Sequence, residues 1–384
     1  MSLLRNRILV GDVRKRLAEL PAGSIDCVIT SPPYYQLRDY GIAGQLGLEE
    51  NIEAWVDELG LALSGLVRVL KPAGSLWLNL GDSYSRHPRY GAPAKSLLLG
   101  PERLLLALAS DGWIVRNKVI WAKTNPMPHA VRDRLSNSYD VVYFLSRQRL
   151  YYFDLDAIRL PHRSQSSSRR ATSYPPERAS PPLWRQPGGG NRGLTAQKQR
   201  GEVGHALGKN PGDVWALPSA SFPGAHFATF PPGLVERPLL ATCPELVCVS
   251  CERPFRRRSR ARREEAGRAR RQARRETHVL RYPRRYSVIR ERGALLPDCR
   301  CGASAVPGVV LDPFFGAGTV ALVAERHGRD WLGVELNPLY VKIAEQRLAA
   351  DRAGRAVDGP TVDATENEVV SAVKPSNPER GSEP

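Results

Sequence analysis

The chain has 384 residues, 42% of them hydrophobic, enough for one large domain with insertions or for two domains. Its 56 Lys and Arg against 39 Asp and Glu leave a formal charge of +17, which points to a polyanionic partner such as DNA or RNA unless it reflects an Arg-biased proteome. No apolar run approaches the ~20 residues of a membrane span, residues 1–10 lack the apolar core and cleavage site of a signal peptide, and six cysteines do not suggest a disulfide scaffold, so the expected location is the cytoplasm.

Strand and helix signals alternate from the start. Residues 25–30 are a short apolar run ending at a Pro-Pro pair, as a buried parallel strand does. Across 53–70, Trp55, Leu59, Leu63, Leu66, Val67 and Leu70 recur at helical spacing, and Pro72-Ala73-Gly74 is expected to stop that helix. Residues 75–80 predict the next strand, 97–110 an amphipathic helix, and 113–122 and 141–145 further strands. This βαβ alternation predicts an open α/β sheet.

Composition changes further along. From 161 to 211 the chain is rich in Ser, Pro, Gly and Arg and should be irregular, mobile and basic. Residues 253–292 hold 17 Arg against 4 Glu, either as a helix laid against phosphates or as a solvated charged arm. Regular structure then returns as a strand at 309–311, a helix at 320–326, a strand at 331–335 and a helix at 339–349. Beyond about residue 355 a polar tail predicts disorder. Internal repeats are absent.

Two loops carry chemistry. Asp312-Pro313-Phe314-Phe315-Gly316-Ala317-Gly318-Thr319 lies between a strand and a helix, where backbone N–H groups at a helix N-terminus can meet a ligand. Gly316 and Gly318 permit positive φ and clear the space beside it. Glu335 ends the next strand, 23 residues after Asp312, where an acid can accept both hydroxyls of a ribose. Alone, a G-x-G with a nearby acid is an ordinary βα turn. Thr30-Ser31-Pro32-Pro33-Tyr34-Tyr35 follows the first strand. Its prolines stiffen a loop in which Ser31 Oγ and the Pro32 carbonyl are acceptors and Tyr34 offers a stacking face. Alone, it is a Pro-rich turn.

Together these loops resemble those of the amino-group DNA methyltransferases, which methylate N4 of cytosine or N6 of adenine. The resemblance covers roughly 8–152 and 213–350, and the Ser31–Tyr34 loop preceding the glycine loop is the permuted order of the β group. It implies a class I methyltransferase fold, a Rossmann-like open, mostly parallel α/β sheet, with S-adenosylmethionine as cofactor. Ser31, Pro32, Pro33 and Tyr34 are the implied catalytic residues, acting on a base flipped out of double-stranded DNA. Gly316 and Gly318 would hold the methionine part and Glu335 the ribose, with Asp312, Pro313, Phe314, Thr319 and Asn337 beside them. Asp12, in Gly11-Asp12-Val13, resembles the acid that contacts the adenine amino group. Phe227, in His226-Phe227-Ala228-Thr229-Phe230-Pro231, belongs to a segment resembling the one that closes over the methionine end. Residues 78–84, 121–128 and 132–134, and Asp140, match further segments of the family, as lining of the base pocket or DNA groove or as structural support.

Serine at the first loop position favours N4 of cytosine, with N6 of adenine the alternative. Methylation at cytosine C5 is rejected: Cys27 lies within a strand as a small buried side chain, and Cys243 precedes a proline instead of following it. A non-catalytic DNA-binding protein on the same fold is a further alternative, and the permuted order disfavours methylation of RNA or protein. The implied partners are double-stranded DNA and, in a restriction–modification system, a cognate restriction endonuclease.

Cys248-x-x-Cys251 and Cys299-x-Cys301 bracket the arginine-rich stretch. Four thiolates can hold structural Zn²⁺ tetrahedrally, although the 47-residue gap and the tight C-x-C are unusual, and four ordinary reduced thiols are the alternative. The expected organisation is a catalytic half at 1–152, a basic target-recognition segment at 153–212, a cofactor-binding half at 213–247 and 302–352, an Arg-rich zinc-binding insert, a zinc ribbon, at 248–301, and a disordered tail at 353–384.

Overall fold

The computed structural model describes residues 5–128, 130–160, 207–220, 230–265 and 286–355, with 258–265 and 286–291 as backbone alone. Phe227, most of the 161–211 segment, residues 266–285 of the arginine-rich stretch and the tail from 356 lie outside the described residues. Two compact units emerge, Met1–Asp154 with Gly212–Phe255 and Pro297–Pro384, and Leu155–Pro211 with Arg256–Leu296.

In the first unit the described strands include an eight-stranded sheet. In chain order its members are β1 (Arg7–Val10), β2 (Ile25–Thr30), β3 (Leu70–Leu80), β4 (Ile114–Lys123), β5 (Tyr139–Ser146) and β6 (Val214–Leu217), with β11 (Val309–Asp312) and β12 (Asp330–Glu335). Their spatial order is β1-β12-β11-β2-β3-β5-β4-β6. Only β5 runs antiparallel to its neighbours. The helices are α1 (Val13–Glu19), α2 (Ile52–Val69), α3 (Gly100–Ser110), α5 (Pro232–Thr242), α6 (Thr319–Arg326) and α7 (Pro338–Arg352); α4 (Leu155–Ile158) belongs to the second unit.

Both faces of the sheet are buried. Val28, Leu76, Leu78, Tyr143 and Leu311 face a core shared with α1, α2 and α3. Their strand neighbours Cys27, Ile29, Trp77, Val142, Phe144 and Val310 face a second core shared with α5, α6 and α7. Alternate residues thus pack on opposite layers, which is why these strands read as unbroken apolar runs. Asn51 caps α2, its Oδ1 accepting from Ala54 N at 2.8 Å, and the helix buries Trp55, Leu59, Leu63 and Leu66 along one stripe. Gly65 lets α1 approach: a Cβ there would meet Leu17 at 3.2 Å.

Pro72-Ala73-Gly74 does not form a break between helix and strand. β3 starts at Leu70, directly after α2, and pairs with Ile25 across a register shift before Cys27. Gly74 is needed there because a Cβ would lie 2.9 Å from the Lys71 carbonyl. Helix α3 starts at Gly100, not at 97, since Leu99 has φ 54° and the preceding chain turns to hydrogen-bond Asp82.

Apart from their outer ends Phe255 and Pro297, the strands β8 (Phe255–Glu265) and β9 (Tyr286–Pro297) lie in the second unit and form a two-stranded sheet. The helical option for the arginine-rich stretch therefore fails over these residues. Leu160 and Lys209 form an isolated antiparallel bridge.

Candidate active site

β2 and β11 are adjacent parallel strands at the centre of the sheet, with Cys27 opposite Val310 and Val28 opposite Leu311. From β2 the chain runs to α2 on one face, and from β11 to α6 on the other. Their carboxyl ends therefore diverge, leaving a crevice where open α/β sheets bind ligands. The Ser31–Tyr34 loop leaves β2, and the glycine loop leaves β11. A 2.6 Å hydrogen bond from Thr30 Oγ1 to Asp312 Oδ1 ties the two loop roots together.

A cleft of about 1120 Å³, including its open mouth, lies above this junction. Of the residues expected from sequence, Ser31, Pro33, Asp12, Pro313, Phe314, Gly316, Thr319, Glu335 and Asn337 line it. Pro32, Tyr34, Asp312 and Gly318 are not among the lining residues. Arg38, Tyr40, Phe230 and Tyr340 also line the cleft. Tyr40 and Tyr340 meet edge to face at 6.0 Å.

The glycine loop is built by backbone geometry. Gly316 has φ 51° and Gly318 φ 74°, both in the left-handed region. A Cβ on Gly316 would meet no atom within 4 Å, whereas one on Gly318 would crowd Ala344 at 3.1 Å. Gly316 thus opens the cleft, and Gly318 permits packing. Glu335 is buried and braces the loop: Oε2 accepts from Gly316 N at 2.7 Å, and Oε1 from Asn337 N at 2.8 Å. Burial raises its pKa against these hydrogen bonds. Asn337 also caps α7, accepting from Leu339 N at 2.9 Å. From within α7, Arg347 donates to Ala317 O at 3.1 Å and to Thr319 Oγ1 at 2.8 Å, fixing the far side of the loop.

Asp12 follows β1 and caps α1, accepting from Arg14 N and Lys15 N. Burial opposes its charge, but Arg14 and these N–H groups prevail and hold its pKa below the usual value. Asp312 is fully buried, and desolvation pushes it up to about 7, against hydrogen bonds from Thr30 and Phe314 N and with help from the nearby Glu335 charge. Its Oδ2 has no partner among the described residues.

Side chains hold the second loop from beneath. Asn79, at the end of β3, donates through Nδ2 to Ser31 Oγ at 3.1 Å and to Tyr34 Oη at 2.8 Å. Tyr34 Oη donates to Asp140 Oδ2 at 3.3 Å, and Lys123 Nζ pairs with Asp140 Oδ1 at 2.8 Å. Burial, and then the Asp140 charge, raises Tyr34 well above the usual phenol range and keeps it neutral. Trp55 Nε1 donates to Pro33 O at 3.2 Å, and Ser83 Oγ to Tyr35 O at 3.0 Å. Gly81 packs on Tyr34: a Cβ there would sit 2.5 Å from the ring. Asp82, in contrast, has a structural task, accepting from Leu99 N and Gly100 N at the start of α3.

Sequence reasoning did not single out Arg38, Tyr40 or Tyr340. The first two sit in the irregular 36–46 stretch, where no periodicity flags them, and Tyr340 reads as an ordinary helix residue. Cys27 and Cys243 are both buried; Cys27 lies against Thr242 Oγ1 at 3.1 Å, with its thiol pushed up to about 12 by burial.

The four remaining cysteines meet in the first unit. Their Sγ atoms all lie within 4.8 Å of one another. β7 (Val247–Cys248) pairs antiparallel with β10 (Ala305–Val306), setting Cys248 opposite Ala305. Among the described residues, no helix is long and apolar enough to cross a membrane.

A family model described as DNA methylase, for N6 and N4 methylation, matches residues 25–248 and 303–346. The Type II methyltransferase M.XycI of Xanthomonas campestris pv. cyanopsidis is 31% identical over 360 residues, covering 88% of this chain and 86% of its own. The Type II methyltransferase M.Cfr9I of Citrobacter freundii is 29% identical over 363 residues, covering 89% and 87%. Among solved structures, the PvuII DNA methyltransferase, described as cytosine-N4-specific, has the same fold: its TM-score is 0.50 at 17% identity, over 97% of this chain and 92% of that one.

Proposed function

Because the chain belongs to the N6/N4 DNA methylase family, we propose that this DNA methyltransferase acts as a site-specific Type II enzyme, moving a methyl group from S-adenosylmethionine to N4 of a cytosine in double-stranded DNA. The observation that carries this reading is the crevice shared by Ser31, Pro33, Gly316 and Glu335 above the Thr30–Asp312 bond.

The cleft suits the cofactor. It is open to solvent at its mouth, and the missing side chain of Gly316 leaves a recess in its wall. Glu335 would accept the ribose hydroxyls with lone pairs not used by Gly316 and Asn337. Asp12 would take the adenine amino group, and Phe314 and Phe230 would supply apolar wall. S-adenosylmethionine supplies an electrophilic sulfonium methyl.

The exocyclic amine is a poor nucleophile because its lone pair is delocalised into the ring. Ser31 Oγ accepts one hydrogen bond from Asn79 and retains a lone pair for an amine N–H. The Pro32 carbonyl would take the second N–H, raising electron density on the nitrogen in a loop that needs little reordering. The base has to leave the duplex first, and Tyr34 would stack on it. Serine at position 31 is the family feature that favours cytosine over adenine. A cognate restriction endonuclease is the partner expected of a Type II enzyme.

Sequencing of DNA modified by the expressed protein, with chemistry that separates N4-methylcytosine from N6-methyladenine, tests the proposal. Methylcytosine at one short sequence is the expected result. Methyladenine would correct the base, and cofactor binding without DNA methylation would favour a non-catalytic DNA-binding role.

A further inference from the structure

We propose that Cys248, Cys251, Cys299 and Cys301 bind one structural Zn²⁺ as a tetrahedral tetrathiolate, and that this ion clamps the two ends of the arginine-rich arm. The proposal is independent of the methyl-transfer reading.

Distance is the first argument. A tetrahedral Zn²⁺ with Zn–S bonds of about 2.3 Å sets its sulfurs about 3.8 Å apart. The four Sγ atoms already lie within 4.8 Å of one another, so less than about 1 Å of adjustment completes the site. All four cysteines are free thiols.

Backbone geometry is the second. The N–H groups of Ser250 and Cys251 hydrogen-bond to Cys248 sulfur, and the N–H of Cys301 to that of Cys299. Glu252 N also donates to Cys248 O at 2.9 Å, closing the first knuckle into a tight turn. The residue after the second cysteine of each pair is left-handed, Glu252 at φ 57° and Gly302 at φ 65°. Glycine adopts this conformation freely, whereas a glutamate is held in it by the turn. Each knuckle thus ends on a left-handed residue, and together they bring four sulfurs within 4.8 Å of one another.

The surroundings supply the third. Cys251 and Cys301 are exposed, and Val249 is 49% exposed, so beyond the buried Val247 and Cys248 little apolar burial holds the two knuckles together. What joins them is the short β7–β10 ladder, extended by Val249 N to Ser304 O at 3.1 Å. A module with so small a core needs a cross-link, and a metal supplies it. Four protein ligands fill zinc's usual coordination, which makes the ion structural and leaves no position for a substrate. The chain leaves the cluster at Cys251 and re-enters it at Cys299, so the ion closes a loop that carries all 17 of the arginines counted between 253 and 292.

Metal analysis of the full chain, purified without chelator, should find one zinc per chain. The Cys251→Ser/Cys299→Ser double variant should lose it, and a Cys27→Ala variant should keep it. Exchange for cobalt should give wild type the intense visible bands of a tetrahedral thiolate complex. Chelation should accelerate protease cleavage between 252 and 298 while S-adenosylmethionine binding persists, so failure here is separable from failure of the methyltransferase reading. Absence of metal, iron in place of zinc, or zinc retained by the double variant overturns the proposal. If the double variant does not fold, the wild-type zinc content and the cobalt spectrum still decide.

Discussion

Thr30 and Asp312 are 282 residues apart in sequence, yet the Thr30 hydroxyl donates to Asp312 Oδ1 at 2.6 Å. Each is the last residue of its strand, immediately before one of the two loops that line the cleft. Movement of either loop root is therefore felt by the other, and the bond lies in a buried place where losing a partner is costly.

The buried Asp312 carboxyl makes stability depend on pH. Its pKa rises from 3.8 to about 7 on folding, chiefly through desolvation, so the folded state holds this proton more tightly than the unfolded chain. The contribution is fully present below the unfolded value and is lost as pH rises toward 7. Asp312→Asn removes the titration and retains an acceptor for Thr30. Melting temperatures at pH 5 and pH 8 should fall with pH by more in the wild type than in the variant. Equal slopes in the two proteins would contradict a neutral Asp312 at low pH. The comparison has to be between proteins because the buried Glu335, whose pKa is also raised by desolvation, contributes a pH dependence of the same sign.

Substitutions on the two sides of the crevice should separate binding from transfer. Ser31→Ala and Tyr34→Ala should lower kcat by about tenfold to a hundredfold while S-adenosylmethionine affinity stays within about threefold. Gly316→Val places a β-branched residue at φ 51° and points it into the cleft. Glu335→Ala leaves the Gly316 and Asn337 N–H groups without their acceptor. Both should weaken cofactor binding by about tenfold or more, measured by calorimetry. Equal loss of cofactor affinity in all four variants would contradict this division.

The sheet and its two loops were legible in the sequence because local backbone demands dictate their residues. Gly316 and Gly318 need left-handed φ, and Val28, Ile29, Val310 and Leu311 are apolar because both faces of their strands are covered. What brings distant residues together was not legible. Nothing in the 78–84 segment says that Asn79 reaches Ser31 and Tyr34 while Asp82 caps a helix. Strand β1 went unread because it pairs with β12 at the sheet edge and has no fully buried residue to mark it. The arginine-rich strands β8 and β9 likewise lack an apolar alternation, so composition alone could not distinguish them from a helix.

Gly81 offers a test of the support beneath Tyr34. A methyl group there would sit 2.5 Å from the Tyr34 ring and 3.0 Å from Asp140 Oδ1, so Gly81→Ala has to displace the tyrosine from its Asn79 and Asp140 contacts. A shift of about 1 Å in a positioning group can cost roughly a hundredfold in rate. Single-turnover methylation should slow by about that factor with cofactor affinity unchanged. An unaffected rate would show that Tyr34 has no part in the step. Lys123→Met should act in the same direction and more weakly, because it frees Asp140 without touching the ring.

The surplus of positive charge should appear as salt dependence of DNA binding. A formal charge of +17 and 17 arginines between 253 and 292 provide the groups, and each phosphate neutralised releases counterions. Affinity for duplex DNA should therefore fall linearly on a log–log plot against salt, with about 0.9 of slope per phosphate contact. Replacing Arg268, Arg270, Arg271 and Arg274 with Gln should flatten that slope by up to about 3.6 if all four meet phosphates, and should weaken binding to different sequences alike. Cofactor affinity, proposed to be set in the crevice between β2 and β11, should not change. Fluorescence anisotropy with a labelled duplex across a salt series measures both slope and affinity. An unchanged slope would mean that this part of the arm stays clear of the DNA backbone, and would shift the electrostatic contact to the basic 161–211 segment.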